Sequence, residues 1–561
     1  MKKVPIRVSD FKKLITENYY YVDKSLFIKE IIDDGSEVIL LPRPRRFGKT
    51  LNMSMFKYFF EKNDEDNKYL FENLEVNKYK DIMDMQGKYP VIYLTFKDVK
   101  DGSFEKCYEK MKEIISKEYS RHRYLIESQF LNEEEFLNEE DEIYFKNILY
   151  KRASQVEYET SFKNLSKFLS EYYNQKTIVL IDEYDTPIQS GYLSGYYKEI
   201  IEFMRNFLSG VLKDNEYLQK GVLTGILRVA KESIFSGLNN LEVFTILKNH
   251  YSDKFGFLES EVEEILKHYN IEFEMDEVRK WYNGYIFGEN VIYNPWSILN
   301  YVKNHEKGFR PYWVNTSSND LVKIVLTKAG ETVKKELEDL IKGKTIVKQI
   351  NEDIVMNDVE NGSENVWSFL LFSGYLKVIN ENLKMGRSFC TLEIPNFEVK
   401  YLYEEIILSW FKESINNEKF NYMLKSLTTG DIETFEDIFS EYIIKSASYF
   451  DIEESEKFYH AFVLGILVAL NEEYEVKSNR ESGYGRYDVA LIPKDRNKLG
   501  IIMEFKKVNK RRKETLEIAA DKAIAQIKDK NYKQELLDMG IENIIELGIA
   551  FEGKELLVVE G

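Results

Sequence analysis

Cysteine is almost missing from this chain of 561 residues: Cys107 and Cys390 are the whole set, too few for a disulfide framework. Proline occurs nine times and no Ser/Gly-rich run is present, so no flexible linker announces a domain boundary. The five histidines, His122, His250, His268, His305 and His460, lack paired metal-ligand spacing, which argues against a zinc site. His460, inside Phe458–Phe462, reads as a helix-packing residue. Long apolar runs are missing too. The strongest, Ala461–Leu470, is far short of the roughly 20 residues that cross a bilayer. Nothing at the N-terminus resembles a signal peptide. The expectation is a soluble, cytoplasmic, multidomain protein with no membrane partner. Basic side chains are outnumbered 78 to 96, a net charge of −18, which disfavours a wholesale nucleic-acid coat but leaves room for a local basic surface. Hydrophobic residues (43%) and aromatics (14%) are plentiful, and a mainly disordered chain is excluded. At roughly 150 residues per domain, three or four domains are expected.

Pattern changes place the boundaries. Residues 1–240 alternate β-branched runs (Val38–Leu41, Val91–Phe96, Thr177–Ile181, Val222–Leu227) with helix-length amphipathic stretches, as in an α/β domain with a largely parallel sheet. Residues 241–394 read as helical, with few strand candidates. Residues 395–561 begin with amphipathic helices and an apolar helix over 456–470. Two strands follow, Tyr487–Pro493 and Leu499–Phe505, joined by the polar turn Lys494–Lys498. That order predicts a separate C-terminal α/β domain.

Strand Val38–Leu41 runs into Pro42-Arg-Pro-Arg-Arg-Phe-Gly-Lys-Thr50 and then a helix-like segment, the context that a P-loop requires. Backbone amides of Arg46, Phe47 and Gly48 at a helix N-terminus would hold phosphate oxygens, Lys49 would neutralise charge, and Thr50 would ligate Mg²⁺. The first glycine of G-x-x-x-x-G-K-[ST] falls at Arg43, so the standard turn needs adjustment. Thr177–Ile181 is a buried-strand signature ending in Asp182-Glu183; Asp182 would hold Mg²⁺ and Glu183 would polarise an attacking water. Near the end of the strand candidate Gly221–Gly225, Thr224 is placed to sense a γ-phosphate and Arg228 to stabilise transferring charge, although an arginine there is more often a surface ion pair.

Near the C-terminus, Asp488 opens one strand and Glu504-Phe-Lys506 closes the next. In a hairpin Asp488 lies beside Glu504, and period-two alternation puts Glu504 and Lys506 on one face. Two converging carboxylates call for a cation, here Mg²⁺, and the lysine can act on water. A polar hairpin face with cross-strand ion pairs is the plain alternative. The basic run Lys506–Lys513 could track a phosphate backbone, and the helix Leu516–Lys530 carries Gln526, with Tyr532 just beyond it.

These residues resemble the AAA-ATPase-like proteins that carry a C-terminal PD-(D/E)XK nuclease-like domain. The resemblance rests on Tyr21-Val-Asp-Lys24, Arg43–Thr50, Leu180–Asp185, Leu223-Thr-Gly225 with Ser236-Gly-Leu238, Trp281–Tyr285 and Tyr293–Ser297. It continues through Gly485–Asp488, Glu504–Lys506 and Ala525–Ile527, and so spans nearly the whole chain in order. It implies that Arg43 is the group's own version of the loop. It also implies ATP at Lys49 and Thr50, with Asp182 and Glu183 as the acidic pair, and a nuclease motif of Asp488, Glu504, Lys506 and Gln526. A helix-borne carboxylate often completes such a motif; Glu453, Glu454, Glu456 and Glu481 are candidates. The middle aromatic motifs read as packing in a lid-like or winged-helix segment. The resulting expectation is an ATP-binding and ATP-hydrolysing module coupled to a Mg²⁺-dependent nuclease. Its partner would be nucleic acid, DNA before RNA, and a homo-oligomer is allowed for. The rival is a nucleotide-regulated nucleic-acid- or protein-binding switch with an inactive nuclease-like domain.

Overall fold

The computed structural model describes residues 1–63, 65–127, 136–228, 239–272, 275–314, 320–328, 331–341, 343–353, 363–414, 417–446, 463, 466–467, 470, 473–478, 481–482, 485–486, 488–509, 513–553 and 555–561. The chain divides into two compact units, Met1–Ala329 with Lys342–Lys400, and Gly330–Ile341 with Tyr401–Gly561.

The first unit is built on a parallel sheet of β1 (Val38–Pro42), β2 (Val91–Thr95), β3 (Thr177–Asp182), β4 (Leu218–Gly225) and β5 (Leu241–Val243), in the order β2-β3-β4-β1-β5. β1 and β3 are buried at every position, which is why their sequences are unbroken apolar runs rather than alternating ones. Helices such as Phe104–Arg121, Gln155–Tyr173 and Tyr197–Leu212 make the crossovers between strands. Ser154 and Glu157 start the second of these with a reciprocal capping box. β4 lies between β1 and β3, so the loop after β1 and the acids after β3 open at the same, C-terminal edge of the sheet.

The middle region is helical, with Glu259–His268, Met275–Tyr282, Pro295–Lys303 and Asp320–Lys328, but it holds more strands than its sequence suggests. β6 (Tyr285–Phe287) and β7 (Asn290–Ile292) form a hairpin; β8 (Ile346–Ile350), β9 (Lys377–Lys384) and β10 (Arg387–Glu393) form an antiparallel sheet in the order β8-β10-β9. β9 escapes pattern reading because six of its residues are exposed on both faces, so no apolar alternation marks it. Both cysteines are free and buried, Cys107 on a crossover helix and Cys390 on β10.

The second unit carries a mixed sheet of β11 (Tyr474–Ser478), β14 (Val489–Pro493), β15 (Gly500–Lys507), β16 (Ile544–Glu552) and β17 (Glu555–Glu560), in that order. A small ribbon of β12 (Glu481–Ser482) and β13 (Gly485–Arg486) stands apart from it. The expected hairpin is present: β14 and β15 pair antiparallel with Val489 opposite Met503. The helix Leu516–Lys530 then carries the chain across to β16, parallel to β15. One sheet face packs Leu491, Met503, Phe505 and Ile549 against Phe420, Met423 and Phe435, while the other packs Ala490 and Ile502 against Ile524, Ile527 and Tyr532. The apolar helix expected over 456–470 lies almost wholly outside the described residues, with His460, as do Ser236–Leu238, Glu453, Glu454 and Glu456. No helix among the described residues is long and apolar enough to cross a membrane.

Gly548 on β16 lets that strand sit directly on the crossing helix, since a Cβ there would stand 2.5 Å from the Ala520 carbonyl oxygen and 2.9 Å from Ile524 Cγ1. Gly548→Val should therefore lower the second unit's stability by about 1–3 kcal/mol through overpacking, read as a reduced urea midpoint. An unchanged midpoint would mean that the helix yields freely.

Candidate phosphate and metal sites

The Pro42–Thr50 loop is shaped by two residues with left-handed backbone. Arg46 has φ 71° and Gly48 φ 87°, and Gly48 caps the helix Lys49–Phe60, whose first amides face the loop. Lys49 is buried, and its ammonium donates to the carbonyls of Arg43 (3.0 Å) and Pro44 (3.1 Å), curling the loop around it. Burial lowers its pKa, opposed by the charges of Glu183, Asp182 and Asp185. Such a desolvated cation, ringed by a turn, is suited to an anionic ligand.

Arg43, where a glycine is usual, points away from that ring. It is fully buried, donates to the carbonyls of Pro42 (2.8 Å), Phe244 (2.6 Å) and Tyr251 (3.4 Å), and lies over the rings of Phe255 and Phe287. The carbonyls and ring faces offset its desolvation. Phe47 is buried against Tyr285 and Phe287, so only its backbone is available to a ligand. Arg46 stacks its guanidinium 4.1 Å from the centre of the Trp296 ring.

Asp182 is the hub of the opposite wall. Fully buried, it accepts hydroxyl hydrogen bonds from Thr50 (2.8 Å), Thr95 (3.2 Å) and Thr224 (2.6 Å), one each from the helix after β1, from β2 and from β4. Burial and the neighbouring Glu183 push its pKa up, while Thr224, Thr50 and Lys49 pull it down. Glu183 follows with φ 53°, turning the chain sharply off the strand. Asp185, not singled out from the sequence, is buried and accepts from the amides of Ile226 (2.9 Å) and Leu227 (3.1 Å), tying the loop after β4 to the acids after β3. Gly225 is required there, because a Cβ would stand 2.7 Å from Asp185 Oδ1 and from the Tyr184 ring. Thr95 was also missed, its only signal being a hydroxyl at the end of an apolar run. Arg228 is held elsewhere, in a 2.9 Å ion pair with Asp353. The oxygen donors of Thr50 and Asp182 suit a hard cation such as Mg²⁺, and Lys49 with the loop amides suits the phosphates of ATP.

In the second unit, the β14–β15 register sets Asp488 beside Glu504, and Asp488 Oδ2 accepts from the Phe505 amide at 2.8 Å. Glu504 is buried; its Oε1 accepts from the Lys506 ammonium (3.1 Å) and from the Gln526 amide on the crossing helix. Its Oε2 is buried with no hydrogen-bond partner. Burial and the charge of Asp488 push the carboxyl up to about 7, against Lys506. Tyr532, buried and hydrogen-bonded to Gln526, backs this row. A lone buried carboxylate oxygen beside a second acid is the environment that a cation relieves, so Asp488 and Glu504 fit Mg²⁺. Among the described residues no group of three or more acidic, His or Cys side chains forms a metal set. Of the helix-borne candidates, Glu481 lies in β12 and the others are outside the described residues. Lys507 and Lys513 of the basic run are described, while residues 510–512 are not.

A glycine–lysine–threonine loop entering a helix, with an acid on a non-adjacent parallel strand, defines a P-loop NTPase-like domain. The hairpin acids with lysine on a mixed sheet define a restriction-endonuclease-like α/β domain. Residues 5–235 match the AAA-ATPase-like family, described as predicted AAA-ATPase, and residues 454–561 match the PD-(D/E)XK nuclease superfamily. The chain joins an AAA-ATPase-like domain to a C-terminal PD-(D/E)XK nuclease-superfamily domain. It is also similar to an "Uncharacterized protein in vnfD 5′region" of Azotobacter chroococcum mcd 1, 25% identical over 566 residues covering 100% of this chain and 98% of that protein.

The raised Glu504 carboxyl has a signed consequence. The folded state keeps the proton that an unfolded glutamate releases, so stability falls as pH rises from 4.5 to about 7 and stays lowered above. At 1.36 kcal/mol per pKa unit the cost at pH 8 is on the order of 3 kcal/mol. Without metal, Glu504→Gln should melt higher than wild type at pH 8, with the gap closing at pH 5. A gap independent of pH would contradict it.

Proposed function

We propose that the N-terminal domain binds and hydrolyses ATP, and that the C-terminal domain is a Mg²⁺-dependent phosphodiesterase acting on nucleic acid, DNA before RNA, under control of the first. The observation that carries this reading is the hydrogen bonding at Glu504: one oxygen is held by Lys506 and Gln526, the other is buried without a hydrogen-bond partner, and Asp488 lies alongside. Asp488 and Glu504 would hold the cation, which when bound lowers the pKa of a water and offsets charge on the phosphate. Lys506, its ammonium anchored on Glu504, would orient that water and meet the developing negative charge beside the scissile phosphate. Gln526 holds Glu504 Oε1 from the helix side, and Oε2, buried without a hydrogen-bond partner, would be the oxygen offered to the cation.

In the N-terminal domain, Lys49 would exchange the loop carbonyls of Arg43 and Pro44 for phosphate oxygens. Asp182 would share Thr50 with Mg²⁺, and Glu183 would orient the attacking water. Thr224, bonded to Asp182, supports a sensor role on β4. The Arg228–Asp353 pair would have to open before Arg228 could reach a phosphate.

Plasmid cleavage with Mg²⁺ tests the nuclease. Lys506→Ala is expected to lose about 10²-fold or more of the wild-type rate, the usual scale for removing a proton-handling group. Equal cleavage by both proteins would remove the nuclease reading, and metal-dependent DNA binding without cleavage would point to the inactive, docking form. In the other domain, Lys49→Ala should abolish ATP binding measured by calorimetry. Unchanged affinity would defeat the P-loop assignment.

A further inference from the structure

We propose that Trp313 is a positioning residue of the phosphate-binding loop, set in place by Glu398 and working together with Trp296 of the middle region. The inference rests on reading Arg43–Thr50 as the nucleotide loop, but it concerns a device that lies outside that loop.

Glu398 sits in the first turn of the helix Phe397–Ser414 and is fully buried. A carboxylate in that position is costly unless donors surround it. Here it accepts from the Ser297 hydroxyl (2.7 Å) and the Trp313 amide, and it hydrogen-bonds the adjoining amides of Val314 and Tyr312. Three successive amides are thereby gathered on one side chain, and the Tyr312–Val314 turn is fixed.

Two residues of that turn connect to the loop, Trp313 directly and Tyr312 by way of Trp296. The Trp313 indole N–H donates to the Arg45 carbonyl at 3.2 Å, and its ring stands against Tyr375 (5.0 Å between centroids) and Tyr285 (6.1 Å). Tyr285 in turn meets Phe47 edge-on at 5.0 Å. The Trp296 indole N–H donates to the Tyr312 carbonyl at 3.1 Å, which sets the ring whose face carries Arg46. Three consecutive loop residues, Arg45, Arg46 and Phe47, are thus each held by an aromatic side chain from one clasp.

The loop needs such a clasp. Arg46 holds a left-handed backbone, a conformation that costs a non-glycine residue about 1 kcal/mol or more and persists only where the surroundings impose it. Held this way, the amides of Arg46, Phe47 and Gly48 are arranged before any phosphate arrives, and less ordering is required on binding. The Trp-Tyr-Asn-Gly-Tyr285 and Tyr-Asn-Pro-Trp-Ser297 motifs, taken alone as packing, supply the parts: Tyr285, Trp296 and the Ser297 hydroxyl on Glu398.

Two variants of the full-length protein test this. Trp313→Phe keeps a ring but removes the N–H to Arg45, and Glu398→Gln keeps an acceptor for the Trp313 amide. Hydrogen–deuterium exchange of the peptide spanning Arg43–Thr50 is expected to speed up about fivefold in Trp313→Phe and to stay near wild type in Glu398→Gln, while the melting midpoint of Trp313→Phe moves by no more than about 2 °C. ATP affinity should fall about tenfold in Trp313→Phe alone, the loss expected for one loop hydrogen bond. Loop exchange at the wild-type rate in Trp313→Phe would overturn the proposal, whatever the affinities. Faster exchange together with no ATP binding even by wild type would leave the clasp standing and remove the nucleotide reading instead.

Discussion

An acid sunk at the end of a buried strand must find donors, and the two units answer that demand differently. Asp182 is met by three hydroxyls from three elements, so the carboxylate pins the helix after β1, the end of β2 and the end of β4 to one point. The C-terminal edge of the sheet is organised around that charge. Asp185 extends the same logic by one turn, gathering the amides after β4. Glu504 is met on one oxygen only. A fully satisfied acid rigidifies its neighbourhood, whereas a half-satisfied one holds free energy that a cation can release.

The parts legible in the sequence are those whose signal is local. β1 and β3 announce themselves as unbroken apolar runs, and the loop that ends in Gly48-Lys-Thr50 follows one of them immediately. The Asp488–Glu504 juxtaposition follows from period two and a short polar turn, and Val489 opposite Met503 agrees with it. Gln526 is different: nothing in its own helix marks it, and only the family resemblance puts it against Glu504. Thr95 was illegible because its relation to Asp182 depends on β2 lying beside β3, a pairing between strands far apart in the chain.

Arg43 shows the same limit from the other side. The sequence reveals that glycine is replaced, but not that the side chain turns inward to carbonyls of Phe244 and Tyr251. A residue that stands where the loop's first glycine is usual is a strut beneath it. Likewise the middle aromatics look like generic core, since the partner that gives them meaning, the Arg45 carbonyl, is distant in sequence. Composition misled in a milder way: a net charge of −18 describes the whole body, whereas cations concentrate at Arg43–Lys49 and Lys506–Lys513, where phosphate chemistry is proposed.

The two thiols bear on how the protein can be observed. Cys107 and Cys390 are both fully buried, and burial raises the pKa of each, so little reactive thiolate is presented to solvent. The natural chain is therefore already a quiet background for maleimide chemistry. A single cysteine placed on an exposed position, such as Met385 at the tip between β9 and β10, would take a fluorophore or spin label selectively, without first stripping out native cysteines.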